Sequence, residues 1–220
     1  MRLPFRVLRV IFATAGVLIL LRAPAAAQQA DPPRLTVGIG GGVANPMHGD
    51  FDFVAPEWQI SVRGRVSGGV TVEGFFSQWR HSEERVFTNQ QIPVPGLIGV
   101  FRIVSVTQRT VRTTRVVGVN ALAGGTRGRV TWTAGGGAGI MDFRRDFVQV
   151  VGGCAPTSAE VCESGNALVE SDLGLQAVAG LDVRIAPRVL GYGQFQLAFP
   201  TSDFGSGHVS VTGGVRIVLW

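Results

Sequence analysis

Apolar and polar residues alternate along most of this chain with a period of two. Leu35, Val37, Ile39 and Val43 alternate with Thr36, Gly38, Gly40 and Gly42. Trp58, Ile60, Val62 and Val66 alternate with Gln59, Ser61, Arg63 and Arg65. Val70, Val72 and Phe76 alternate with Thr71, Glu73 and Ser77. Weaker alternation covers residues 101–121, and Val130, Trp132, Ala134, Ala138 and Ile140 form another apolar face. The clearest run sets Leu173, Leu175, Ala177, Ala179, Leu181, Val183 and Ile185 against Asp172, Gln176, Asp182 and Arg184. Phe195, Leu197 and Phe199 alternate with Gln194 and Gln196. The last run is Val209, Val211, Val215, Ile217 and Leu219 against Ser210, Thr212, Gly214 and Arg216. Successive strand side chains point to opposite faces, so the pattern predicts eight β-strands, each with one apolar and one polar face.

The connections alternate too. Ser67-Gly68-Gly69, Gly124–Gly128 and Ala186-Pro187-Arg188 read as short turns. Between them lie longer stretches: 45–56, 80–96, 142–170 and 200–207. Ile92-Pro-Val-Pro-Gly96 reads as the tip of a hairpin. Its arms run roughly 20 residues, where a barrel strand needs only about 10 to cross a membrane.

The first residues form a targeting segment. Arg2, Arg6 and Arg9 make a basic start, Val10–Leu21 is apolar but too short to span a bilayer, and Ala25-Ala26-Ala27 is a cleavage site. Residues 1–27 are thus expected to be a cleaved signal peptide, and 28–220 one barrel domain. The leader takes four of the 20 arginines and none of the 15 acidic residues, so the remainder sits near neutrality. No basic stripe for nucleic acid is left.

Eight strands with alternately long and short connections resemble the small bacterial outer-membrane barrels, the OmpA transmembrane domain, OmpX and OmpW types. The last strand, which ends on Trp220, resembles the closing strand of that family. The resemblance implies an all-β fold, an eight-stranded antiparallel up-and-down transmembrane β-barrel in the bacterial outer membrane. It also implies outer-membrane lipid around the barrel and a barrel-assembly machinery that reads the C-terminal strand. Alternation alone fits either polarity of such a barrel, including a soluble, lipocalin-like one with apolar residues inside. Aromatics near strand ends, long loops on one side and the terminal aromatic strand favour the membrane version.

Candidate chemistry is sparse. Cys154 and Cys162, the only cysteines, read in an exported protein as a disulfide. The polar face carries Arg63, Arg65, Glu73, Asp172, Asp182, Arg184 and Arg216, with Arg129 beside them. In a lumen only wide enough for side chains, these read as a paired network. Trp58, Trp79, Phe195, Phe199 and Trp220 read as aromatics at the lipid–water interfaces. The glycines of Gly38–Gly42 lack the following helix that a phosphate site needs. His208 and Ser210 share a face and resemble the His-x-Ser pair of outer-membrane lipid A deacylases, but no acid follows them. No metal, no cofactor and no catalysis are expected. The expected role is a structural or surface-display protein whose long loops engage an extracellular ligand. A narrow porin-like channel for small or hydrophobic solutes is the alternative, and a lipid A-modifying enzyme the remote one.

Overall fold

The computed structural model describes residues 35–47, 54–67, 69–94, 96–152, 163–202 and 207–219. Within them run β1 (Leu35–Pro46), β2 (Ala55–Ser67), β3 (Val70–Pro93), β4 (Phe101–Arg127), β5 (Val130–Val151), β6 (Glu163–Ala186), β7 (Val189–Pro200) and β8 (His208–Val218). Each strand pairs with the next, antiparallel, and β8 returns to β1, so the sheet closes into a barrel. The closing ladder runs from Thr36 opposite Val218 to Pro46 opposite His208. Closure matters because a sheet edge in lipid would leave backbone N–H and C=O groups without partners.

The wall has one polarity. Gln59, Ser61, Glu73, Ser77, Gln194 and Gln196 are buried. Ile39, Ile60, Val119, Leu181 and Val211, on the other parity, are exposed. A water-soluble barrel hides its apolar face. This one hides its polar face, an arrangement that is stable only with lipid outside. The two polarities that alternation left open are thereby decided.

The chain divides into two compact units. One comprises residues up to Trp79, Arg115–Asp142 and from Ser171 onward; the other comprises Arg80–Thr114 and Phe143–Glu170. The second unit is built from parts of β3, β4, β5 and β6. Its β3–β4 turn is held by Val94 N–H donating to the Val100 carbonyl (2.9 Å) and Leu97 N–H to the Val94 carbonyl (3.2 Å). Gly152 N–H donates to the Ser105 carbonyl at 2.6 Å, joining β5 to β4.

Two expectations need correction. Residues 142–170 are not one long excursion, because β5 runs to Val151 and β6 starts at Glu163. Arg144, Arg145, Asn166 and Glu170 break the apolar alternation there, and residues 164–170 are exposed on both parities, so the strand has no buried face to keep apolar. Gly124–Arg127 likewise belongs to β4, with only the turn at Gly128 (φ 62°) breaking the chain. The signal segment, Cys154, Cys162 and Trp220 lie outside the described residues.

Candidate functional site

The polar faces of the first unit converge on four charged side chains. Arg63 and Glu73 are direct cross-strand neighbours on β2 and β3. Arg63 Nε donates to Glu73 Oε1 at 2.6 Å, Nη1 to Asp182 Oδ2 at 3.1 Å, and Nη2 to Gln194 Oε1 at 2.9 Å. Arg216, from β8, donates through Nη1 to Asp182 Oδ1, and through Nη2 to Gln194 Oε1 (3.1 Å) and Glu73 Oε1 (3.4 Å). Asn120 of β4 donates to the other Glu73 oxygen at 3.1 Å. All these side chains are buried. Two cations meet two anions, so the cluster is formally neutral. That balance is required, because an unpaired charge taken out of water costs several kcal/mol. The arginine fork suits the task, since one guanidinium serves several acceptors at once.

Strands β2, β3, β4, β6, β7 and β8 supply these groups, and β1 supplies room. A Cβ on Gly38 would stand 2.8 Å from Arg216 Cγ and 3.0 Å from Ser61 Oγ. A Cβ on Gly40 would collide with the Tyr192 hydroxyl and stand 2.7 Å from the Gly213 carbonyl oxygen. Tyr192 lies under Arg216, whose guanidinium carbon is 3.7 Å from the ring centroid, a cation–π contact. The glycine run therefore makes space for the lumen cluster.

Further polar layers follow along the lumen. Gln196 Nε2 donates to Gln176 Oε1 at 2.6 Å, and Thr212 Oγ1 to Gln59 Oε1 at 3.1 Å. Beyond them Glu57 is buried, with the Ser77 and Ser210 hydroxyls beside its carboxylate. His208 is fully buried and meets Trp79 edge-on, with ring centroids 6.1 Å apart. Among the described residues no group of His, Cys, Asp and Glu is placed to hold a metal ion.

No protein-family model matches the chain. No curated protein matches it either. Solved structures do. A major outer membrane protein from Thermus thermophilus aligns with a TM-score of 0.50 at 8% identity, over 85% of this chain and 99% of that one. Ail, the attachment invasion locus protein of Yersinia pestis, in complex with the heparin analogue sucrose octasulfate, gives 0.49 at 13%, over 84% and 97%. Neisserial surface protein A gives 0.46 at 11%, over 85% and 99%. The chain has the fold of the small outer-membrane β-barrels. At these identities the likeness is one of fold, and the inverted polarity of the wall agrees with it.

In this barrel Arg63, Glu73, Asp182 and Arg216 come together, and Arg184, Arg65 and Asp172 are placed nearer the ends of the β2–β3 and β6–β7 ladders. Arg184 is exposed near the β6–β7 turn, where its N–H donates to the Arg129 carbonyl at 2.8 Å. Arg65 is partly exposed beside the register shift that ends the β2–β3 ladder. Asp172 accepts from Ser202 N–H (2.8 Å), Ser202 Oγ (2.5 Å) and Thr201 Oγ1 (3.0 Å), and so fixes the start of the β7–β8 connection. Period-two alternation gives a residue's face but not its depth, and all three have the right parity at the wrong height.

The aromatics divide similarly. Trp58 and Phe195 are exposed on the outer wall, Trp58 lying 5.0 Å from the Phe76 ring, and Phe199 is half-buried. Trp79 is not an interface residue: it is buried with Ala44 and Ala55. It shares parity with Glu73 and Ser77, and β3 continues past it to Pro93. Glu57, Asn120, Tyr192 and Gln194 complete the inner layers. All four sit on the polar parity, which was the available signal. Glu57 was hidden because it follows a proline in a turn-like stretch.

Proposed function

We propose that this protein is an outer-membrane anchor that displays the β3–β6 unit at the cell surface for interaction, and that its lumen is closed. The observation that carries the reading is strand length. β3, β4, β5 and β6 have 24, 27, 22 and 24 residues. A transmembrane strand needs about 9–11. The excess forms a compact unit of its own, which lipid crossing does not require. The neutral Arg63–Glu73–Asp182–Arg216 cluster supports the second half of the reading, because six strands send side chains into it. Assembly is assigned to the machinery that reads the C-terminal strand. No catalytic step is assigned: His208 and Ser210 face inward, away from any lipid substrate.

The experiment is conductance of the purified, folded protein in a planar bilayer, alongside protease treatment of intact cells. No large steady current is expected, with brief flickering as the paired network rearranges. Cleavage in the β3–β4 hairpin is expected without lysis. Stable porin-sized currents would replace the closed-lumen reading with the narrow channel, and a hairpin protected on intact cells would remove the display reading.

A further inference from the structure

The β3–β4 hairpin ends in a tip with no polar side chain. Ile92–Phe101 reads Ile-Pro-Val-Pro-Gly-Leu-Ile-Gly-Val-Phe. The turn bonds at Val94, Leu97 and Val100 hold its backbone, and Gly96 and Gly99 take φ of 82° and 77°, a left-handed region that bulky residues resist. The apolar side chains are consequently held outward. Ile98 is fully exposed (104%), and Leu97, Phe101 and Ile103 are more than half exposed. A contiguous exposed apolar group on an ordered turn marks a contact surface.

The charge around it points to the partner. Between Arg80 and Thr114 the hairpin has five arginines (Arg80, Arg85, Arg102, Arg109 and Arg112) against Glu83 and Glu84, a net charge of +3, and no acidic residue follows the tip on β4. Arg102 follows the tip directly, and Arg109 lies farther down β4 with Nε donating to Ser82 Oγ at 3.3 Å. Glu83 is taken up by Arg85 at 2.6 Å, and an apolar apex above a hairpin of net positive charge is the chemistry of interfacial insertion. Apolar side chains enter the acyl region while arginines meet lipid phosphates. We propose that the β3–β4 tip inserts into an apposed bilayer containing anionic phospholipid. The inference rests on the display reading, which places the hairpin outside the cell.

The test uses the full chain folded in phosphatidylcholine nanodiscs. These are mixed with separate vesicles, either phosphatidylcholine alone or with phosphatidylglycerol, and floated on a density gradient. Wild type is expected to float with the anionic vesicles and weakly with the neutral ones. Leu97→Asp with Ile98→Asp should cut co-flotation by about tenfold or more, whereas Leu97→Met with Ile98→Leu should retain it. Arg102→Gln with Arg109→Gln should weaken it and flatten its salt dependence. Heat-modifiable migration on a gel checks that each variant has folded. Wild type that stays with the nanodisc fraction, or an aspartate variant that floats like wild type, overturns the proposal. Capture by cell membranes but not by protein-free vesicles also overturns it, and makes the partner a protein. The two readings fail separately: a hairpin protected from protease on intact cells, with flotation intact, sinks display, whereas lost flotation with a cleavable hairpin sinks only the tip.

Discussion

Arg63 and Glu73 stand opposite each other on β2 and β3, and their side chains meet at 2.6 Å with both buried. Glu73 also accepts from Asn120 and Arg216, so it is the acceptor on which the cluster depends. Glu73→Gln leaves two arginines facing one carboxylate. The expected loss is about 3–5 kcal/mol, read as a lower urea midpoint for the fast-migrating folded species. Removing the pair together, Arg63→Met with Glu73→Leu, should cost less than Glu73→Gln, because Arg216 and Asp182 remain matched. A single variant as stable as wild type would mean that the cluster is solvated rather than sealed.

Gly40 and Gly74 separate crowding from general strand propensity. A Cβ at Gly40 meets Tyr192 and the Gly213 carbonyl, whereas a Cβ at Gly74 meets nothing within 4 Å. Gly40→Ala should therefore cost about 1–3 kcal/mol by overpacking. Gly74→Ala should lie within about 0.5 kcal/mol of wild type. Equal effects at both positions would remove the packing explanation for the β1 glycines.

Facing was legible in the sequence and depth was not. Arg63, Glu73, Asp182 and Arg216 meet because alternation put them on one face and closure brought that face together. Arg184 and Asp172 share the parity of Asp182 on β6, yet one ends near a turn and the other braces the β7–β8 connection. Nothing local marks that difference, since depth is set by the stagger between strands. Trp79 shows the opposite failure. Its side-chain type suggested an interface, but its parity with Glu73 and Ser77 already pointed inward. The long β3–β4 hairpin was legible from its tip at residues 92–96, but the ends of β5 and β6 were not, because residues 164–170 are exposed on both parities and neither face selects for alternation.

His208 tests whether the outer lumen layer is structural. It is fully buried, and among the described residues neither ring nitrogen has a hydrogen-bond partner. A buried polar group without a partner costs about 1–3 kcal/mol. The edge-on contact with Trp79 offsets about 0.5–1.5 kcal/mol of that. His208→Leu should thus unfold at a urea concentration equal to or above that of wild type. Ser210→Ala should leave the acylation of lipid A in the host cell unchanged when analysed by mass spectrometry. A strongly destabilised His208→Leu would reveal an essential imidazole partner, and an altered lipid A would reopen the enzymatic reading.

Lipid contact predicts a dependence on depth that exposure alone does not. Leu181 and Ile185 both lie on the outer face of β6, at 53% and 66% exposure. Leu181 pairs with Gly193 in the body of the β6–β7 ladder, whereas Ile185 adjoins the register shift at its end. An arginine facing lipid costs about 2–4 kcal/mol near the bilayer midplane and about 0–1 kcal/mol near the interface. Leu181→Arg should therefore fold into vesicles with markedly lower stability, while Ile185→Arg folds close to wild type because its guanidinium reaches the headgroups. In water an arginine would be welcome at either site. Indistinguishable stabilities for the two variants would sink the assignment of this wall to the bilayer.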